Sequence, residues 1–240
     1  MKDLLDINAY NEFNAHYGNW DYNRHDNFDL KQAFFLRDWA YSDVGVDKNN
    51  LNYIIDNKEK AKKDKATEED VQKRKLEEKR KVLMNKQQLE LVPYASRSFS
   101  SFAGKGKIKE QRIKKLCPYV ETLLHEIFSQ PREYVIFFSV LFNEVFKVYN
   151  KESAKNYRVK PGKECKYQII GLDKKTGKNK IFRTFCTPIT IFNLEDKSSI
   201  KAIIANTFPS QALPNAYEIM AEYGKFCHDV YTSWKSNNHP

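Results

Sequence analysis

Residues 203–215 read I-I-A-N-T-F-P-S-Q-A-L-P-N, and the parsing of this stretch decides the fold. The apolar run 202–205 predicts the end of a buried strand. Pro209 and Pro214 then interrupt any regular element, and helical spacing resumes over 217–231. A strand that hands a loop of small polar residues to a helix start turns backbone N–H groups toward an anion, and Ser210 adds a hydroxyl. The expectation is a loop that grips a phosphate backbone.

Upstream of this stretch the apolar spacing is regular enough to place elements. Residues 166–172 and 180–192 flank D-K-K-T-G-K-N, a polar turn expected to close a β-hairpin. The run Y-V-I-F-F-S-V at 134–140 follows Pro131 and predicts a strand covered on both faces, with a helix after it at 142–149. Over 108–128, Ile113, Leu116, Val120, Leu123, Leu124 and Ile127 keep helical spacing, and Pro118 implies a kink or two helices. Residues 30–39 predict a short amphipathic helix. Short strands are expected at 4–7 and 89–92, and a ring-rich loop at 11–29.

The segment 58–86 breaks the pattern. It holds 12 Lys or Arg against 7 Asp or Glu with a thin apolar stripe, so it predicts a solvated helical insertion at about 56–88. Strands alternating with helices then give an α/β fold: a three-layer sandwich around a central, largely parallel four-stranded sheet, forming one domain over 1–240. In such sheets ligands bind beyond the carboxyl ends of the strands. The loops after residues 7, 92 and 205 are expected to meet in one cleft.

Charge narrows the partner. With 41 Lys or Arg against 31 Asp or Glu, the formal net charge is +10, which suits a polyanion, foremost nucleic acid. Apolar residues make up 41% of the chain and aromatic residues 14%, too much for a disordered protein. Cys117, Cys165, Cys186 and Cys227 form no C-x-x-C pair, which argues against a zinc ribbon and for reduced thiols. No apolar run is long enough to cross a membrane, and residues 1–8 lack a signal-peptide core. The expectation is a cytoplasmic monomer that binds DNA and no membrane.

The three loops, in this order, resemble those of the uracil-DNA glycosylase superfamily, over most of the chain outside the charged insertion. The text F-P-S at 208–210 is similar to that family's H-P-S or M-P-S loop. Phe208 replaces the His that aids catalysis in one branch, a point shared with members similar to mismatch-specific and thymine-DNA glycosylases. The resemblance implies that Ser210 holds phosphate and that Gln211, Ala212 and Leu213 form the wedge behind a flipped nucleotide. The first motif is nearest to D-I-N-A-Y at 6–10, which departs from the family at its Gly and its Pro. It implies that Asn8 positions the attacking water, with Tyr10 beside the base.

The family's base-reading Asn falls at Glu90 in L-E-L-V-P (89–93). A carboxylate only accepts hydrogen bonds, so it favours a base with an exocyclic amino group, as cytosine has. The loop Y-A-S-R-S-F at 94–99 offers Tyr94 and Phe99 for stacking and Ser96 and Arg97 for phosphate, with Lys105 and Lys107 beyond it. The implied activity is that of a monofunctional DNA glycosylase that flips and excises an abnormal pyrimidine, with a modified cytosine favoured over uracil. It leaves an abasic site and needs no metal, iron–sulfur cluster or other cofactor. Some glycosylases similar to this superfamily act against hypermodified phage cytosines. An ionised Glu90 would oppose an anionic leaving base, so this mechanism needs Glu90 protonated or the base already activated. Two alternatives stand beside it: a non-catalytic nucleic-acid-binding protein with a glycosylase-like fold, and a metal-dependent hydrolase built on His16, Asp21, His25, Asp26 and Asp29.

Overall fold

A computed structural model describes residues 32, 34–40, 106–152, 155–172, 177, 179–206 and 217–236. Their elements are helices α1 (Arg37–Ala40), α2 (Gly106–Lys114), α3 (Cys117–Phe128), α4 (Leu141–Tyr149) and α5 (Tyr217–Ser236), and strands β1 (Ile136–Phe138), β2 (Tyr157–Pro161), β3 (Cys165–Leu172), β4 (Asn179–Asn193) and β5 (Ser199–Ala205). The class is α/β. The sheet has five strands, in the order β1-β5-β4-β2 with β3 also on β4, and it is mixed and mostly antiparallel.

This corrects the expected four-stranded, largely parallel sheet. Parallel neighbours need a crossover of a dozen or more residues. Here β3 follows β2 after three residues, and β4 and β5 are joined by the five residues 194–198. Links this short leave β2 and β3 end to end along β4 and force β4 and β5 to run antiparallel. The strands expected at 4–7 and 89–92, and the charged insertion, lie outside the described residues.

The chain divides into two compact units. One comprises Met1–Trp20, Gln87–Lys163 and Thr187–Ile204, the other Asp21–Lys86, Glu164–Cys186 and Ala205–Pro240. In the first, Val120, Leu124, Val145, Phe146 and Tyr149 of α3 and α4 bury against Phe137, Val159, Ile189, Ile191, Ala202 and Ile204 of the strands. Each Val, Leu, Ile or Phe side chain removed from water in this way contributes about 1.5–3 kcal/mol. Pro118 lies in the first turn of α3, where its missing N–H is no loss, so the 108–128 pattern resolves into two helices. The expected strand 134–140 shrinks to Ile136–Phe138 because the backbone leaves the strand region at Ser139, with φ 152°.

Strand β2 is not among the strands expected from the sequence. Its edge is closed by Asn150, whose side-chain amide donates to the Val159 carbonyl (2.7 Å) and accepts the Val159 N–H (3.0 Å). The β4–β5 turn is built from side chains. Asn193 accepts the Glu195 N–H (3.0 Å), Asp196 accepts the Ser198 N–H (2.8 Å), and Lys197 takes φ 64°. Pro188, inside β4, has no N–H to give. Opposite it, three residues (162–164) face two (187–188), and the Gly162 N–H bonds to the Pro188 carbonyl at 2.7 Å.

In the second unit the hairpin expected around 173–178 forms, with Cys165 to Leu172 paired against Cys186 to Asn179. Helix α5 packs on β3 and on α1. Tyr167 stacks on Phe226 at 4.6 Å, and Trp39 meets Tyr231 and His228 at 5.3 and 5.2 Å.

Candidate nucleic-acid interface

Of the sequence-predicted site residues, Asn8, Tyr10, Glu90, Tyr94, Ser96, Arg97, Phe99, Lys105, Ser210, Gln211 and Leu213 lie outside the described residues, as does the His16–Asp29 cluster. Lys107 falls in α2. That helix is basic, but its charge meets acids at home. Lys109 pairs with Glu144, Lys114 with Glu152 (3.1 Å), and Glu110 with Lys151 (2.6 Å), stitching α2 to α4 and the turn after it. Charges joined this way hold a helix pair together and leave less positive field for a ligand.

A second titratable cluster lies in the same unit. The Tyr149 hydroxyl donates to Glu121, whose other carboxylate oxygen accepts the Asn156 N–H at 3.0 Å. The Tyr157 hydroxyl lies 3.4 Å from His125 Nδ1. Burial, followed by the bond to Glu121, holds Tyr149 protonated far above the usual phenol range, and burial also pushes Tyr157 up. Both oxygens of Glu121 are occupied, and both tyrosines are buried. The arrangement fixes the start of β2 onto α3 and α4, and the bonds that the cluster makes are structural ones.

Among the described residues, the surface best suited to a ligand is on the strands. Tyr157-Arg158-Val159-Lys160 alternates buried and exposed, so Tyr157 and Val159 enter the core while Arg158 and Lys160 share the opposite face. Directly opposed residues project the same way. Lys160 is opposite Thr190 and Arg158 is opposite Phe192. From β5, the Lys201 ammonium donates to the Thr190 hydroxyl at 3.1 Å. Lys160, Thr190 and Lys201 therefore form one row across three strands, with Arg158 and the half-buried Phe192 in the next. Burial, and then the neighbouring Lys160 charge, pull the Lys201 pKa below the ordinary lysine value. A phosphate between the two ammoniums would favour the charged form of both lysines and so oppose this shift. Glu195 and Asp196 in the adjoining turn limit this field at one end.

None of these residues belongs to the motifs that the sequence singles out. The signal that finds them is the two-residue alternation of Tyr157 to Lys160, apolar then basic, together with the lone Lys201 inside the apolar run of β5. Among the described residues no group of three His, Cys, Asp or Glu side chains is placed to hold a metal ion, and no helix is long and apolar enough to cross a membrane. No family model matches this chain, and neither a curated protein nor a solved structure matches it.

Proposed function

We propose that the chain binds a nucleic-acid backbone through the basic row Arg158, Lys160 and Lys201, with Phe192 as a stacking surface. The observation that carries this reading is the Lys160–Thr190–Lys201 row, two ammoniums on one sheet face across a buried hydroxyl. Adjacent strands lie about 4.8 Å apart, so the row spans the width over which a phosphate can meet both lysines. The excess of 41 basic over 31 acidic residues supports the same class of partner. The experiment is a salt titration of binding to labelled single- and double-stranded DNA, read by fluorescence anisotropy. Binding that weakens steeply with salt supports the proposal, and no binding at about 50 mM salt overturns it.

A second reading, base excision by a monofunctional DNA glycosylase, is favoured by one feature: β5 ends at Ala205 and helix α5 begins at Tyr217. A strand before Phe208, Pro209 and Ser210 and a helix after them is the order that the resemblance requires. Release of a base from duplexes carrying uracil or modified cytosines, lost in Asn8→Ala, supports it. DNA binding without any abasic product leaves the non-catalytic reading standing alone.

A further inference from the structure

Three cysteines far apart in sequence meet in the second unit. Cys165 and Cys186 are directly opposed in the β3–β4 ladder. Opposed residues of an antiparallel pair share a face with Cβ atoms about 4.5–5.5 Å apart, a small movement from the 3.5–4.5 Å or so of a disulfide. Cys227 reaches the same place from α5, its thiol hydrogen-bonded to that of Cys186. Cys186 and Cys227 are 0% exposed, whereas Cys165 is half-buried. None of the cysteines is in a disulfide.

We propose that Cys165 and Cys186 form a hydroperoxide-responsive pair that closes to a disulfide across the β3–β4 hairpin, with Cys165 as the entry point. The Cys165 sulfur attacks one oxygen of hydrogen peroxide and the O–O bond breaks. Cys165 becomes a sulfenic acid, and the released hydroxide leaves as water with the proton of the thiol. The Cys186 sulfur then attacks the Cys165 sulfur. The S–O bond breaks, and hydroxide leaves as a second water with the Cys186 proton. In sum, two thiols and one peroxide give one disulfide and two waters, the two sulfurs supplying two electrons. Exposure sets the order of events, because peroxide reaches the half-buried thiol before the buried ones. Burial raises the Cys227 pKa well above the ordinary thiol value, so Cys227 stays a protonated neighbour.

The test exposes the folded full-length chain to hydrogen peroxide, alkylates it under denaturing conditions and maps the peptides without reduction. The expected product is a monomer lighter by two hydrogens, with Cys165 joined to Cys186 and dithiothreitol reversing the bond. Cys165→Ser removes the crosslink and Cys117→Ala leaves it intact. Three results overturn the proposal: a sulfenic or sulfinic Cys165 with Cys186 fully alkylated, a bond between two chains, or a bond that includes Cys227. The map of the unsubstituted chain decides the matter even if a variant folds poorly.

Discussion

The Tyr223 hydroxyl stands between two strands: it donates to the Phe185 carbonyl at 2.9 Å and accepts the Asn206 N–H at 2.7 Å. It thereby ties α5 to β4 and to the residue just past β5, where the loop toward α5 departs. Tyr223 is fully buried, so its partners have no water to turn to. Tyr223→Phe keeps the ring and removes the bridge, and is expected to cost about 1–3 kcal/mol. Urea denaturation should show a lower midpoint with an unchanged slope. A change below about 0.5 kcal/mol, the range of an ordinary surface substitution, would show the bridge to be incidental.

Gly224 of α5 lies hard against the backbone of Phe35, two residues before α1. A Cβ there would stand 1.9 Å from the Phe35 carbonyl oxygen and 2.8 Å from its Cα, while Trp39 donates to the Gly224 carbonyl at 3.0 Å. The obstacle is backbone, which cannot swing aside, so Gly224→Ala should cost about 3 kcal/mol or more. Gly177 is the control. Its φ is 64° and nothing lies within 4 Å of its added Cβ, so Gly177→Ala pays only for the left-handed backbone, about 1 kcal/mol. Thermal melts of the two variants should therefore differ clearly, with Gly224→Ala the lower.

The contrast between those glycines illustrates what a sequence can carry. Helix positions were legible wherever apolar residues kept a 3–4 spacing, as from Ile113 to Ile127, because local periodicity is enough to bury one helix face. The β3–β4 hairpin was legible from its polar turn. Strand direction was not, because apolar runs such as 202–205 read alike in parallel and antiparallel sheets, and the length of the connections decides between them. Strand β2 is hard to read because its alternation spans only the four residues before Pro161. The basic row was hidden for a related reason: Lys160 and Lys201 are 41 positions apart in the chain and become neighbours only through the pairing of β2, β4 and β5. The meeting of Cys165, Cys186 and Cys227 depends on pairing in the same way.

Alkaline pH should unfold the protein early. Burial, and then Glu152, raise the Cys117 thiol from 9.0 to about 11, and burial holds Tyr149 and Tyr223 protonated beyond the usual phenol range. A group whose folded pKa is raised binds its proton more tightly in the native state, so its contribution is complete below the unfolded pKa and is lost as pH rises. For Cys117 the loss runs from about pH 9 to about pH 11, and the tyrosines add to it above about pH 10. Denaturant midpoints taken from pH 8 to pH 11 should fall progressively. In Cys117→Ala the part of the fall between pH 9 and pH 10 should be smaller. A midpoint constant to pH 11 would contradict the burial of these groups.

The basic row makes the sharpest claim about function. If Lys160 and Lys201 share a phosphate contact, replacing either with Ala should weaken DNA binding for all sequences alike and reduce the slope of log K against log salt by up to about 1. Lys201→Ala also frees the Thr190 hydroxyl, so Lys201→Met, which keeps the stem over the sheet, separates lost charge from lost packing. Phe192→Leu should act differently. It removes a stacking surface but no charge, so it should weaken single-stranded binding by about 1–3 kcal/mol and leave the salt slope unchanged. Lys115, an exposed residue just past α2, serves as a charge-matched control. If Lys115→Ala reduces affinity and slope as much as Lys160→Ala does, binding follows net charge alone and the sheet face is not the interface.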